Sequence, residues 1–322
     1  MTDWLDNLGY RDYTLSIASE DASFRTYYRV EQGTDSWILM DAPPEKESCE
    51  RFIVVANKIR RAKLSAPEII EQDTVQGFLL LTDFGNRAYL SVLDSKSEGL
   101  LYADALAALL KMQTAIECDD LPVYDEILLT REMDLFRDCF LKDLLGIELD
   151  QNQQTQWTSI KNTLIQNALE QPQVFVHRDY HSRNLMKIDI NSPGMLDFQD
   201  AVKGPVTYDM VSLLRDCYIA WPPVRVDQLA LDFYEIARAN ELVDVGPAKF
   251  LRWFNLMGIQ RHLKAIGIFA RLKLRDAKDG YLKDIPRTLE YLEQVSAEEN
   301  GMIGLHTLIS KLSLKLRVKS LL

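Results

Sequence analysis

The sequence lacks the features that mark several large classes of protein. Its four cysteines, Cys49, Cys118, Cys139 and Cys217, include no CxxC pair, so neither a disulfide framework nor a zinc site is predicted. With only 14 glycines and 11 prolines in 322 residues, collagen-like and low-complexity chains are excluded. Because scattered free cysteines suit a reducing compartment, we expect a cytoplasmic protein.

Long uncharged hydrophobic runs and an excess of basic residues are also missing. The most apolar late stretch, residues 253–274, contains Arg261, His262, Lys264 and Arg271, whereas a membrane span needs about 18 nearly charge-free residues. The first residues, MTDWLDNLGYRDY, have acids and no apolar core, so no signal peptide is predicted. The net charge of −11 argues against a general nucleic-acid binder. We expect no membrane, nucleic acid or obligatory protein partner.

The sequence contains a β-rich first third followed by long helical stretches. Strands are predicted at 26–30, 36–40, 69–70 and 78–81, with a helix at 48–63 between the two pairs, in the order β-β-α-β-β;. Helices are predicted at about 97–117, 131–146 and 153–170 and through most of 207–318, with short apolar runs at 174–176, 185–188 and 194–196. The pattern predicts an α+β fold with a small β-rich lobe, residues 1–83, and a larger mainly helical lobe, residues 84–322.

The segment from Val174 to Met186 carries the strongest chemical signal. A hydrophobic strand leads into His177-Arg178-Asp179, and Asn184 follows after four more residues. This is the H-R-D-x-x-x-x-N spacing of kinase catalytic loops, in which the aspartate receives the proton of the acceptor hydroxyl and the asparagine binds Mg²⁺. A lone HRD tripeptide is usually an ordinary turn, but the longer pattern between two apolar runs is far more specific.

A second acidic residue ends the next apolar run. Asp197 follows Gly194-Met195-Leu196 and stands 13 positions after Asn184. Two short strands joined by a turn would place these side chains together, and their oxygens are the ligands that Mg²⁺ prefers. A DFG tripeptide at 83–85 imitates the metal-binding motif of protein kinases. Because it precedes the HRD segment, we assign it to the hinge between the lobes and the metal role to Asp197.

These motifs resemble those of the aminoglycoside phosphotransferase family, whose fold is protein-kinase-like. The segment His177–Asn184 is similar to the family's catalytic motif, Asp197 to its metal aspartate, and residues 204–209 (GPVTYD) to its G-P-x-x-x-D element. The resemblance implies ATP and Mg²⁺ as cofactors, with ATP between the lobes. It also implies that Asp209 braces the catalytic loop, and we expect His177 to support the loop by hydrogen bonds.

The resemblance extends to one branch of this family, the anomeric amino sugar kinases of cell-wall recycling. It is carried by residues 21–25 (DASFR), 39–45 (LMDAPPE) and 196–216. The branch implies phosphorylation of the C1 hydroxyl of an amino sugar. The residues expected to contact the nucleotide are Ser23, Arg25, Leu81, Thr82 and Asp83, and those expected to contact the sugar are His181, Arg183, Gln199 and Asp200.

The sequence departs from the protein-kinase pattern in two places. No glycine occurs within residues 19–28, and Met40 stands where the ATP-contacting lysine is expected. The candidate cations for the phosphates are Arg25, Lys58, Arg60 and Lys63. Two alternatives therefore stay open: a kinase of another small hydroxyl compound, such as an aminoglycoside, choline or homoserine, and a non-catalytic kinase-like binding module. Retention of the base and both metal residues favours catalysis, because a pure binder has no need of the base.

Overall fold

The chain forms two compact units. The computed structural model describes residues 1–20 and 24–319. Unit 1 comprises Met1–Ile116 and Arg183–Ala201, and unit 2 comprises Glu117–Ser182 and the chain from Val202 onward. The predicted lobe boundary at residue 83 stays a prediction. The two units are defined by their compactness, whereas the lobes were predicted from secondary structure and from the function expected of each.

The chain contains nine strands and eleven α-helices among the described residues, with the following bounds. The strands are β1 (Thr14–Glu20), β2 (Thr26–Gln32), β3 (Asp35–Asp41), β4 (Ile69–Asp73), β5 (Phe78–Thr82), β6 (Gln173–Val176), β7 (Leu185–Met186), β8 (Gly194–Met195) and β9 (Val202–Pro205). The helices are α1 (Thr2–Asn7), α2 (Cys49–Arg61), α3 (Tyr89–Val92), α4 (Glu98–Ala115), α5 (Glu126–Leu135), α6 (Gln151–Leu169), α7 (Tyr208–Leu214), α8 (Pro223–Ala239), α9 (Pro247–Asp276), α10 (Ile285–Glu298) and α11 (Ile303–Lys319). A π-helical segment, Phe136–Leu144, continues α5, and a 3₁₀-helix, Asp279–Asp284, precedes α10.

Unit 1 is built on a five-stranded sheet in the order β1-β2-β3-β5-β4. The β2–β3 hairpin turns at Gly33, whose φ of +61° is readily adopted by glycine. Val30, Leu39 and Leu80 form a buried cluster on this sheet. Helix α2 begins at the cap Ser48, whose hydroxyl accepts the Glu50 N–H at 3.1 Å. Apolar residues at helical spacing on α2 are buried, as the periodicity predicts;.

Unit 2 is organised around α9, a helix of 30 residues. It packs against α5, α6, α7, α8, α10 and the π-helical segment. Helix α9 lies close to the backbone of α5 at Gly267, where a Cβ would lie 2.4 Å from the carbonyl carbon of Leu135. None of the helices among the described residues combines the length and the uninterrupted apolarity that crossing a membrane requires.

The predicted order β-β-α-β-β is incomplete because it misses β1. This strand lies at the edge of the sheet, and its Ile17 is 61% exposed, so the sequence TLSIASE shows no buried alternation. The single helix predicted over 131–146 is in fact the end of α5 followed by the π-helical segment. Strand β9 was also missed, because its sequence VKGP contains glycine and proline;.

We predict that Gly267→Ala destabilises unit 2. The new methyl group would overlap backbone atoms of Leu135, and overpacking of this kind costs about 1–3 kcal/mol of unfolding free energy, which exceeds the roughly 1 kcal/mol that alanine gains in helix propensity. Urea unfolding measures the difference. The matched control is Gly280→Ala, where a Cβ meets no atom within 4 Å. Equal unfolding midpoints for the two variants would contradict the prediction.

Candidate active site

Strand β6 leads directly into the predicted catalytic loop in unit 2. It pairs with β9 from Gln173↔Pro205 to Val176↔Val202. Arg178, two residues after the strand, has a φ of +78°, a conformation that residues other than glycine rarely adopt. The tertiary structure must therefore hold this turn in place.

Asp209, in the first turn of α7, holds the turn. Its carboxylate accepts the backbone N–H of His177 at 2.6 Å and that of Arg178 at 3.0 Å. Burial raises the pKa of Asp209 to about 7, although the two N–H donors act in the opposite direction;. The buried His177 ring contributes a second contact, because its Nδ1 accepts the Asp179 N–H at 3.3 Å. The supporting roles expected for Asp209 and His177 have a structural basis in these contacts.

Asp179 is partly exposed and lies among basic groups. Burial would raise its pKa, but Lys264, His181, Arg178 and Arg261 together lower it to about 2. The carboxylate is therefore ionised at neutral pH. It is a weak base, so it can act only in a reaction that needs little base strength.

A buried ionic network fixes the arginine that precedes Asp179. Arg178 Nη2 lies 2.5 Å from Glu132 Oε1, and Lys264 Nζ lies 3.3 Å from the same oxygen. Tyr124 donates its hydroxyl to Glu132, and Lys264 donates to the Tyr208 hydroxyl at 2.9 Å. Burial would raise the pKa of Glu132, but the two cations lower it. Since each charge has a partner, the network can remain ionised in the interior of unit 2.

The two predicted metal residues lie together in unit 1. Strands β7 and β8 pair, and the Leu196 N–H donates to the Asn184 carbonyl at 2.9 Å. The Asn184 Nδ2 lies 3.3 Å from Asp197 Oδ2. A carboxylate and an amide supply hard oxygen ligands of the kind that Mg²⁺ takes alongside water and phosphate oxygens. In the described part of the chain, no group of three or more His, Cys, Asp or Glu residues is arranged to hold a metal ion.

Two predicted sugar contacts next to Asp197 have different surroundings. Gln199 is buried and donates from Nε2 to Asp197 Oδ1 at 2.7 Å, so it orients the candidate metal carboxylate. The Asp200 side chain is 54% exposed and lies 3.6 Å from Arg51. Gln199 is thus in direct contact with the candidate metal pair.

The other two predicted sugar contacts fall in different units. His181 belongs to unit 2, is buried, and packs edge-on against Tyr218 with ring centroids 5.2 Å apart. Arg183 begins the second segment of unit 1 and is half-buried. Their expected roles stay predictions.

The predicted hinge residues end strand β5. Leu81 is buried, and the Thr82 hydroxyl accepts the Glu68 N–H at 3.0 Å. The Asp83 carboxylate accepts from Arg29 Nε at 2.6 Å, and the Ser36 hydroxyl and Gly85 N–H donate to it at 3.0 and 2.7 Å. These three groups donate hydrogen bonds to the carboxylate of the DFG tripeptide, and its assignment to the hinge stays a prediction.

Arg25 is buried, unlike the other candidate cations for the phosphates. Its Nη2 lies 2.7 Å from Glu47 Oε2, while Met40 is fully buried in β3. Arg60 is exposed and pairs with Glu68; Lys58 is half-buried and Lys63 exposed. Ser23, predicted to contact the nucleotide, lies outside the described residues.

Sequence reasoning missed the polar residues of α9 as site residues. Gln260, Arg261, His262 and Lys264 are all buried in the middle of the helix. From the sequence, the three basic ones served only to exclude a membrane span. The signal was present, because basic residues inside an apolar run are rarely buried without a partner.

Comparisons with known proteins agree with these motifs. The profile described as the phosphotransferase enzyme family matches residues 14–242. An N-acetylmuramate/N-acetylglucosamine kinase from Pseudomonas aeruginosa is 46% identical over 300 residues, covering 92% of this chain and 88% of the relative. A protein of the same name from Pseudomonas putida is 42% identical over 324 residues, covering 97% and 95%.

Solved structures similar to this chain include two kinases with different substrates. The ADP-bound aminoglycoside phosphotransferase APH(2'')-Ib has a TM-score of 0.59 and 15% identity, covering 90% of this chain and 96% of that one. The choline kinase LicA from Streptococcus pneumoniae has a TM-score of 0.64 and 11% identity, covering 90% and 96%. At these identities the similarity establishes the fold alone, and it confirms the predicted α+β protein-kinase-like class.

We predict that Asp209→Ala destabilises the protein and lowers its turnover. The substitution leaves the buried N–H groups of His177 and Arg178 without an acceptor, at a cost of about 2–4 kcal/mol in unfolding free energy. Chemical unfolding measures this change. The control is Asp189→Ala, whose side chain is 89% exposed and whose removal should change stability by less than about 0.5 kcal/mol. An Asp209→Ala variant as stable as the control would refute the bracing role.

Proposed function

Since the chain belongs to the phosphotransferase enzyme family, we propose that it phosphorylates the anomeric C1 hydroxyl of N-acetylmuramate and N-acetylglucosamine with ATP. The observation that carries this proposal is the identity of 46% and 42% to two relatives named as kinases of these sugars, over 92% and 97% of the chain. The product is a sugar 1-phosphate, which a nucleotidyl transfer can convert to an activated sugar for peptidoglycan recycling.

Asp179 is proposed as the catalytic base. The C1 oxygen attacks the γ-phosphorus of ATP, a new P–O bond forms, and the bond from the γ-phosphorus to the β–γ bridging oxygen breaks to release ADP. The hydroxyl proton passes to the Asp179 carboxylate. A pKa of about 2 suits this role, because phosphoryl transfer depends on positioning and charge stabilisation more than on base strength. An anomeric hydroxyl is also more acidic than an ordinary alcohol.

Mg²⁺ is proposed as the metal, held by Asn184 and Asp197. When bound, Mg²⁺ neutralises charge on the β- and γ-phosphate oxygens. Gln199 supports the site by fixing one Asp197 oxygen at 2.7 Å. The positive φ of Asp197, +61°, is a local strain of the kind that occurs at functional sites.

Residues 1–83 are proposed as the nucleotide-binding lobe and residues 84–322 as the lobe with the catalytic loop and the sugar site. The ADP in the solved structure of APH(2'')-Ib supports nucleotide use. Arg25, held by Glu47, is proposed to contact phosphate in place of the missing strand lysine. Ser23 and the segment Leu81–Asp83 are proposed to complete the nucleotide contacts. The protein is proposed to work in the cytoplasm, where ATP is available.

We predict that product analysis identifies the C1 phosphate. With Mg-ATP and either N-acetyl sugar, the ³¹P spectrum should show a new phosphomonoester resonance coupled to the anomeric proton. An aminoglycoside, choline and homoserine serve as comparison acceptors and should give no more than trace turnover. Phosphate at another carbon, or turnover of choline but neither sugar, would contradict the proposal. The absence of turnover with every acceptor, with Mg-ATP still bound, would favour a non-catalytic binding module.

We predict that Asp179→Asn abolishes most turnover but leaves Mg-ATP binding intact. Loss of a positioned general base lowers kcat by about 10²- to 10⁴-fold, whereas the metal pair is unchanged. Steady-state kinetics gives kcat, and calorimetric titration gives the nucleotide dissociation constant. The same substitution at the exposed Asp189 is the matched control and should leave both unchanged. A kcat of Asp179→Asn within threefold of that control would exclude the assigned role.

A further inference from the structure

Arg261 is a buried arginine whose side chain is not fully hydrogen-bonded. It lies in the middle of α9 and is 6% exposed. Within the described residues, its side chain makes one hydrogen bond, from Nη1 to the Cys217 sulfur at 3.8 Å. Among residues 1–20 and 24–319, none accepts a hydrogen bond from its Nε, and no carboxylate of that part forms an ion pair with it. A buried guanidinium carries five N–H donors, and leaving them unmatched is costly.

Two other basic side chains near Asp179 differ from Arg261 because each forms an ion pair with a carboxylate. Arg178 and Lys264 both pair with Glu132. Asp179 and Asp216 act on Arg261 electrostatically, together with Cys217 and Tyr208. These carboxylates stabilise its charge without occupying its donors. Arg261 thus keeps hydrogen-bonding capacity close to the proposed base.

A second buried polar atom lies in the same region of unit 2. The Ser182 hydroxyl is buried and has no hydrogen-bond partner among the described residues. Ser182 is tied to the region by its backbone N–H, which donates to Asp216 at 2.9 Å. Each buried polar group that lacks a partner calls for an explanation, and two of them lie near the Asp216 carboxylate. Their presence points to a polar ligand that supplies acceptors.

We propose that Arg261 binds the lactyl carboxylate of N-acetylmuramate and so determines the preference for the acidic sugar over neutral N-acetylglucosamine. The proposal rests on the proposed function. A guanidinium binds a carboxylate through two parallel hydrogen bonds, and the Ser182 hydroxyl can donate a third. N-acetylglucosamine has no such group, so it leaves these donors unmatched. Arg183, which was predicted from the sequence to contact the sugar, is half-buried in unit 1, and the same substitution is tested there.

The test is a comparison of kcat/KM for the two sugars at saturating Mg-ATP. In Arg261→Gln, kcat/KM for N-acetylmuramate should fall about 10- to 100-fold, the range for a lost hydrogen bond to a charged group. The value for N-acetylglucosamine should fall much less, because Lys264, His181 and Arg178 still lower the pKa of Asp179. Arg261→Lys keeps the charge but not the paired N–H donors of the guanidinium, so its kcat/KM for N-acetylmuramate should fall by an intermediate factor. The control is Arg275→Gln on the same helix, whose side chain is 60% exposed and which should behave as wild type.

A substrate-side measurement completes the test. The methyl ester of N-acetylmuramate keeps the size of the lactyl group but not its charge, so wild type should use it poorly and Arg261→Gln should not discriminate against it. An equal loss with both sugars and a raised KM for ATP would overturn the proposal in favour of a phosphate contact. No change with either sugar would overturn it in favour of a structural charge.

The outcomes are separable from those of the proposed function and from misfolding. Retained N-acetylglucosamine turnover and a wild-type melting temperature show that Arg261→Gln is folded. If wild type phosphorylates neither sugar, the proposed function fails, whatever the variants do. A selective loss in Arg183→Gln but not in Arg261→Gln would assign the carboxylate to Arg183 and refute the proposal.

Discussion

The proposed chemistry in unit 2 depends on one carboxylate that accepts two backbone N–H groups. Asp209 bonds to the N–H groups of His177 and Arg178, and Arg178 is held at a φ of +78°. Such strain of about 1–3 kcal/mol persists only where the surrounding structure determines it. Strand β9 brings Asp209 to this position, because β9 pairs with β6 and α7 begins three residues after β9 ends. Contacts from α7, together with the His177 ring, therefore fix the direction in which Asp179 leaves the strand.

The buried charges of α9 and α5 act on the loop from within unit 2. Glu132 pairs with both Arg178 and Lys264, so removal of one partner would leave an uncompensated buried charge. Replacement of such networks by apolar residues often stabilises a protein, so stability alone does not account for them. We attribute the buried charges to their electrostatic effect, because the cations among them hold Asp179 ionised next to the position proposed for the acceptor hydroxyl. Arg261 belongs to the same group of charges but keeps donors for a ligand.

The local parts of this account could be predicted from the sequence. The HRDxxxxN spacing, the short strands around it and the β2–β3 hairpin depend on neighbouring residues, and the structure contains all of them. The Asn184–Asp197 pair was predictable for the same reason, since the β7–β8 hairpin joins the two residues. Strand β1 was missed because an exposed edge strand has no buried face to impose alternation.

The contacts made by α9 and α5 could not be predicted in this way. Glu132 and Arg178 are 46 positions apart, and Lys264 and Tyr208 are 56 apart. Their pairing follows from helix packing, which a sequence pattern does not report. The Arg25–Glu47 pair illustrates the same limit, because the sequence showed that the strand lysine was missing but not which cation was buried beside a carboxylate.

The most direct measurement is a crystal structure of the protein with Mg²⁺, a non-hydrolysable ATP analogue and N-acetylmuramate. The account predicts that the C1 hydroxyl oxygen lies about 2.5–3.0 Å from an Asp179 carboxylate oxygen, the usual range for such hydrogen bonds. It also predicts that this C1 oxygen, the γ-phosphorus and the β–γ bridging atom of the analogue lie on one line. A different sugar hydroxyl at Asp179, or a C1 hydroxyl turned away from it, would contradict the account.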